Sequence, residues 1–120
     1  LQTTLNPMQK KKSKESYTEF LLDQFSDTAA VTAKKMFGGV GFFRESLMFG
    51  MIDGSGHLLF KVDESNLQDY KDHGSEPFKS PSKKGSMPYW TVPAEVIEDR
   101  HQLNTWADKA FAVALKKQKK

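Results

Sequence analysis

Three histidines, His57, His73 and His101, and fifteen carboxylates are the groups from which a hydrolytic or metal centre would have to be assembled in this 120-residue chain. The histidines fall in three different predicted elements and lack the paired spacing with which a helix or turn presents two imidazoles to a metal. Cysteine is absent, so neither a thiolate ligand nor a cysteine nucleophile is available. The serines lie mostly in turns and caps, and no G-x-S-x-G elbow raises one of them as a nucleophile. Glu95, Glu98 and Asp99 form a carboxylate cluster, but it precedes a helix start, where negative charge is stabilising without any acid–base role. No set of groups with separable roles emerges. The sequence therefore predicts no catalytic residue, no metal site and no cofactor, and hence no enzyme.

Gly38-Gly39-Val40-Gly41 has the composition of a phosphate-binding loop. Such a loop needs a following helix whose N-terminal amides face the anion, and here Phe42-Phe43-Arg44 continues as strand. The glycines are read instead as a tight turn or a bulge. What remains for function is binding. Lys10, Lys11, Lys12 and Lys14 at one end, and Lys116, Lys117, Lys119 and Lys120 at the other, are candidates for nucleic-acid contact, because lysine runs neutralise phosphates without reading sequence. No arginine or aromatic platform is interleaved with them, which favours a solubilising role. Met36, Met48, Met51 and Met87 stand beside Phe37, Phe42, Phe43 and Phe49 in the β regions. Such a surface suits core packing or an adaptable docking face.

The location of the charge matters more than its total. The formal net charge is +3, yet the two lysine tails hold 8 of the 18 basic residues and none of the 15 acidic ones. Residues 15–115 thus carry 10 basic and 15 acidic groups, a formal charge of −5. The body is acidic and the tails are basic. No apolar run is long enough to span a bilayer, and the polar N-terminus lacks the apolar core of a signal peptide. The chain starts at Leu1, not methionine, as a processed or expression-derived terminus would. One domain over residues 15–115 is expected, flanked by a disordered basic tail at 1–14 and a second at 116–120.

The elements that would position any site centre on Lys35–Val62. Leu47-Met48-Phe49-Gly50-Met51-Ile52 reads as a strand covered on both faces, and Asp53-Gly54-Ser55-Gly56 as the turn of a hairpin. The return strand alternates, with Leu58, Phe60 and Val62 on one face and His57 and Lys61 on the other. Before it, Ser13 opens a helix carrying Tyr17, Phe20, Leu21 and Phe25 at helical spacing. Val31–Phe37 reads as a first strand diluted by alanine and lysine, and Glu45-Ser46 as a turn. After it, Asp63 is expected to cap a short helix carrying Leu67 and Tyr70 and ending at Gly74. Glu76-Pro77-Phe78 is extended again, and Met87–Val92 is a β region in which Pro88 argues for an edge or a bulge. Pro93 suits the first position of a helical turn, and Asp99 caps a last helix whose Leu103, Trp106, Ala107, Ala110, Phe111 and Ala114 form one stripe.

These residues resemble the N-terminal domain of the TfoX/Sxy competence regulators and its stand-alone relatives. The resemblance rests on Val31-Thr32-Ala33-Lys34-Lys35-Met36-Phe37-Gly38-Gly39-Val40-Gly41 and Leu47-Met48-Phe49-Gly50. It continues through Gly74-Ser75-Glu76-Pro77-Phe78, Met87-Pro88-Tyr89-Trp90-Thr91-Val92-Pro93 and Trp106-Ala107. It implies a two-layer α+β fold, a small antiparallel sheet with helices on one face, in the order α-β-β-β-α-β-β-α. It also implies a cytoplasmic bacterial protein without enzymatic activity. Full-length members are positive regulators of DNA-uptake competence genes and carry a second, C-terminal helical domain, whereas this sequence ends in a lysine tail after its last helix.

The reading is a regulatory or protein-interaction module, with a transcription regulator or polymerase component as the expected kind of partner. Lys35, Phe37, Gly38, Gly39, Tyr89 and Trp90 are the candidate partner-binding residues. The alternatives are weak nucleic-acid binding through the lysine tails and a small-ligand pocket between sheet and helices. A second copy of the chain is a further candidate to cover the open sheet face. No membrane contact is expected.

Overall fold

The hairpin forms about its turn as the spacing predicts. In the computed structural model, which describes residues 13–27, 30–36, 38–79 and 86–118, strand β3 (Leu47–Ile52) pairs antiparallel with strand β4 (Leu58–Lys61). Asp53 organises the link: its Oδ1 accepts hydrogen bonds from the amides of Ser55 at 2.9 Å and His57 at 3.0 Å, the local bonding that favours aspartate in turns. Strands β1 (Thr32–Met36) and β2 (Gly39–Arg44) extend the sheet on one side of β3. On the far side of β4 lie β6 (Ser86–Thr91) and then β5 (Pro77–Lys79). Among the described residues the sheet is six-stranded and antiparallel throughout, in the order β1-β2-β3-β4-β6-β5.

Helix α1 (Ser13–Gln24) precedes the sheet and runs into a 3-10 turn at Phe25–Asp27. Helix α2 (Leu67–Asp72) links β4 to β5, and α3 (Ala94–Ile97) and α4 (Arg100–Gln118) follow β6. This is the expected α+β architecture, with two differences from the order α-β-β-β-α-β-β-α: two helices, α3 and α4, follow β6 where one was expected, and a strand is added before α2. Four strands precede α2, not three, because the glycine turn divides the opening β stretch in two.

One face of the sheet makes the core. Val40, Phe42, Phe49, Ile52, Leu58, Phe60 and Val62 pack against Leu21, Phe25, Tyr70, Val96 and the α4 stripe Leu103, Trp106, Ala107, Ala110 and Phe111. Phe25 stands at its centre, 5.4 Å from the Phe42 ring, 5.7 Å from Phe49 and 6.1 Å from Phe60. Phe49 reaches this face through an irregularity: Phe42 lies opposite Gly50 and Phe43 opposite Met48, so Phe49 is the extra residue of a bulge. Each fully buried aromatic or leucine contributes about 1.5–3 kcal/mol by leaving water. At the helical end, the Asp99 side chain accepts from the Gln102 amide at 3.1 Å, the predicted cap of α4. Asn104 donates to the Gln24 carbonyl at 2.7 Å, and Gln24 donates to the Ile97 carbonyl at 2.8 Å. These bonds tie α1 to α3 and α4.

Two local expectations change. Asp63 does not cap α2. Its carboxylate accepts from the Ser65 amide, and its own amide donates to Asn66 Oδ1 at 2.9 Å, so Asp63 and Asn66 close an Asx-type turn ahead of the helix. Pro88 does not lie at an edge, since β6 runs between β4 and β5. The β5–β6 register shifts between Pro77↔Trp90 and Lys79↔Ser86, so the bulge is the device that accommodates it.

Candidate functional site

Among the described residues, the helices pack on one face of the sheet, and apolar side chains on the other face have no described helix over them. Strand alternation and register place Met36, Gly41, Phe43, Met48, Met51 and Leu59 there. Met36, Met48 and Phe43 converge over Gly41: a Cβ at that position would stand 2.6 Å from Met36 Sδ, 2.9 Å from Met48 Sδ and 3.0 Å from Phe43 Cε1. The glycine thus leaves room for two thioethers and a ring on one patch. The patch is uneven. Leu59 and Tyr89 are buried, although neither belongs to the helix-side core, while Met36, Phe43, Met48 and Met51 are half-buried.

At one margin of this face runs β1. Thr32, Ala33, Lys34 and Lys35 are all exposed, and only Met36 is half-buried. A groove of about 550 Å³ opens beside it, lined by Thr32, Lys34, Phe43, Glu45 and Ser46 among others. Glu45 and Ser46 have φ of +52° and +69°. Two successive left-handed residues form a hairpin turn whose twist suits the flanking strands. For side chains other than glycine this costs about 1–2 kcal/mol each.

The structure divides five of the six candidate partner-binding residues into two groups. Lys35 is exposed on β1, and Gly38, with φ +79°, occupies the turn into β2. Gly39 opens β2, where a Cβ would stand 2.0 Å from the Ile52 carbonyl oxygen, so its identity serves a close backbone approach. Phe37 lies outside the described residues. Tyr89 and Trp90 are on β6, with β3 and β4 between it and β2. Three strand spacings amount to about 14 Å, so the two groups do not adjoin. Trp90 faces the helix side, 6.4 Å from Tyr70. Tyr89 faces the other side, with Lys61 Nζ 5.6 Å from its ring centroid, and burial pushes its phenol up to about 12.

Of the candidate nucleic-acid lysines, Lys116 Nζ is engaged 2.9 Å from Asp63 Oδ2. Burial alone would raise the Asp63 carboxyl, but hydrogen bonds from Ser65 and Lys116, with the charge of Lys116, outweigh it and hold the group at about 2. Lys14 and Lys117 belong to the ends of α1 and α4. Lys10, Lys11, Lys12, Lys119 and Lys120 lie outside the described residues.

The chain also brings two histidines to one cleft. His57 and His73, with Ser75, Glu76 and Thr91, line an open space of about 400 Å³. His73 Nδ1 donates to the Asp69 carbonyl at 2.9 Å, and its ring packs edge-on to Trp106 at 5.2 Å. The Ser75 hydroxyl donates to the Thr91 carbonyl, which occupies its proton. Among the described residues, no three histidine or carboxylate groups stand close enough to hold a metal ion.

Sequence reasoning passed over Lys34, Glu45 and Ser46 as site residues. The signal was present, because lysine within a weak β pattern is how proteins mark an edge strand.

Fold and surface together define a small α+β domain whose exposed features, among the described residues, include a half-buried methionine face, a lysine-bearing strand and the two open clefts. Residues 23–114 match the TfoX N-terminal domain, most of the chain, and the protein belongs to that family. No curated protein matches the chain. The family suggests a competence-related regulatory domain and is not a known enzyme family. Among the described residues, no helix is long and apolar enough to cross a membrane.

Proposed function

We propose that this chain is a non-enzymatic regulatory module that acts by binding another protein, in the manner of a positive regulator of competence-type transcription in the cytoplasm. The observation that carries the reading is the match to the TfoX N-terminal domain over residues 23–114. The surface supports it: half-buried methionines on the sheet face away from the described helices adapt to a partner's shape, and the adjoining basic edge adds charge selectivity. The partner expected is a transcription regulator or a polymerase component.

The test is affinity capture with the full chain from nuclease-treated lysate of the source organism, followed by mass spectrometry. Retention of a transcription regulator or polymerase subunit, reduced by Met51→Glu on the sheet face, is the expected result. Retention of no protein, with nucleic acid recovered from untreated lysate, would replace this reading with binding through the lysine tails.

A further inference from the structure

We infer that Met36, Met48 and Met51 form a thioether site for a soft monovalent metal ion, copper(I), on the sheet face away from the described helices. The inference concerns the chain by itself and does not rest on a protein partner. Three neighbouring strands bring the sulfurs together. Gly41 on β2 is paired with Met51 on β3, and directly opposed residues of an antiparallel pair present their Cβ positions to one face, about 4.5–5.5 Å apart. Met48 lies opposite Phe43 and Met36 opposite Gly39, so each stands one diagonal step from Gly41 on that face. Gly41 has no side chain to hold them apart. A Cβ built there would stand 2.6 Å from Met36 Sδ and 2.9 Å from Met48 Sδ, which bounds the separation of the two sulfurs at about 5.5 Å. Two sulfurs bonded to one metal at about 2.3 Å each stand up to about 4.6 Å apart. A small side-chain rotation therefore lets Met36 and Met48 share an ion. Met51, half-buried at the facing position, supplies the third sulfur through an unbranched side chain with three rotatable bonds.

Chemistry selects the ion. Thioether sulfur is a soft, neutral donor, and such donors favour copper(I). Zinc takes thiolate, imidazole and carboxylate, while magnesium and calcium take oxygen, and the three methionines offer none of these. Lys34, the β1 neighbour of Gly41, adds a positive charge on the same face. Its repulsion scales with the charge of the ion, so a monovalent cation meets half the opposition that a divalent one does. Phe43 Cε1 stands 3.0 Å from the point where the sulfurs converge, and its ring keeps water from that side.

The probe is silver(I) nitrate, an air-stable mimic of copper(I), titrated in chloride-free buffer into the full chain and followed by methionine methyl NMR. Of the five methionines, Met36, Met48 and Met51 are expected to shift together and saturate at one ion per chain, while Met8 and Met87 stay in place. The acetonitrile complex of copper(I), added under nitrogen, gives the same shifts, and zinc gives none. The double variant Met36→Leu/Met48→Leu keeps the volume and apolar character of the patch. It binds silver at least about tenfold more weakly, since even a change outside the ligand set costs a metal site that much. Its amide spectrum verifies the fold, and if the double variant does not fold, Met51→Leu carries the same expectation. The inference is overturned if either monovalent ion leaves the three methyls unmoved, or if all five methionines respond alike. It is also overturned if the shifts fall on His57 and His73 instead, or if the leucine variants bind silver as tightly as the parent chain. Any of these results would leave the protein-interaction reading standing, because no partner takes part in the titration.

Discussion

The two edges of this sheet solve the same problem in opposite ways. At β5 the strand is short, Pro77 has no amide to donate, and a bulge in β6 disturbs the pairing, so the edge offers little to another chain. At β1 the strand is longer and regular in register, and Lys34 and Lys35 stand exposed on it. The closed edge is protected whatever approaches. The basic edge carries two exposed lysines, which disfavour pairing with basic strands and with its own copy. A charge guard therefore discriminates between approaching strands, which a proline guard does not.

The largest effect that tests this difference is at Gly39, which holds β2 close to the end of β3 and so keeps β1 in place. Gly39→Ala would drive a Cβ into the Ile52 carbonyl. The expected loss is about 3 kcal/mol or more by denaturant melt, with the tail of that distribution reserved for such clashes. A wild-type melt would show that the backbone shifts freely there, and that β1 is not held by this contact.

The closed side is probed by alkali. Burial raises Tyr89 on β6 from 10 to about 12, and also raises Tyr70, which packs 4.6 Å from Trp106. Below pH 10 both phenols are neutral whether the chain is folded or not, so their contribution is fully present. As pH climbs from 10 toward 12 the unfolded chain ionises first, and stability falls. Tyr89→Phe should flatten that decline without abolishing it, because Tyr70 remains. A decline of unchanged steepness would show that Tyr89 is not buried as described.

Replacing the guards sharpens the contrast further. Lys34→Val/Lys35→Val should leave stability within about 0.5 kcal/mol, as surface substitutions do, yet raise self-association in sedimentation, since an unguarded edge pairs with itself. An unchanged monomer fraction would mean that charge is not what keeps β1 single. The smallest effect is expected at the Lys116–Asp63 pair. Because Asp63 is held at about 2 instead of 3.8, its contribution is present above pH 4 and is lost as pH falls through about 2. Lys116→Ala should cost no more than about 0.5 kcal/mol at neutral pH, the screened value of a surface ion pair.

Much of the fold was legible because local and global signals agreed. The Asp53–Gly56 turn between two apolar runs, and the alanine-punctuated stripe of α4, each have one reading, and the structure follows it. Leu59 was harder. It sits between two core residues in an apolar run, so alternation assigned its neighbours to a face and left it unplaced, although it is buried on the other side. Pro88 gave two options, edge or bulge, and only the pairing of β6 with both β4 and β5 decides between them. The β4–β6 half of that pairing joins residues as distant in sequence as Leu59 and Thr91, which no local pattern encodes. For the same reason the candidate site was only half legible. Gly38–Gly39 and Tyr89–Trp90 stand out as motifs in the sequence, but their separation by the two intervening strands is a property of topology. The edge character of β1 was written in Lys34 and Lys35 as a weakened strand signal.

The most direct measurement is amide hydrogen exchange of the full chain, free and bound to the partner captured from lysate. Protection gained along the strands that carry the methionine face, Thr32–Met36, Gly39–Arg44 and Leu47–Ile52, with β5 unchanged, is the predicted result. Protection gained at β5 or at the α4 C-terminus, with those strands exchanging as in the free chain, would contradict the assignment of the methionine face as the binding surface.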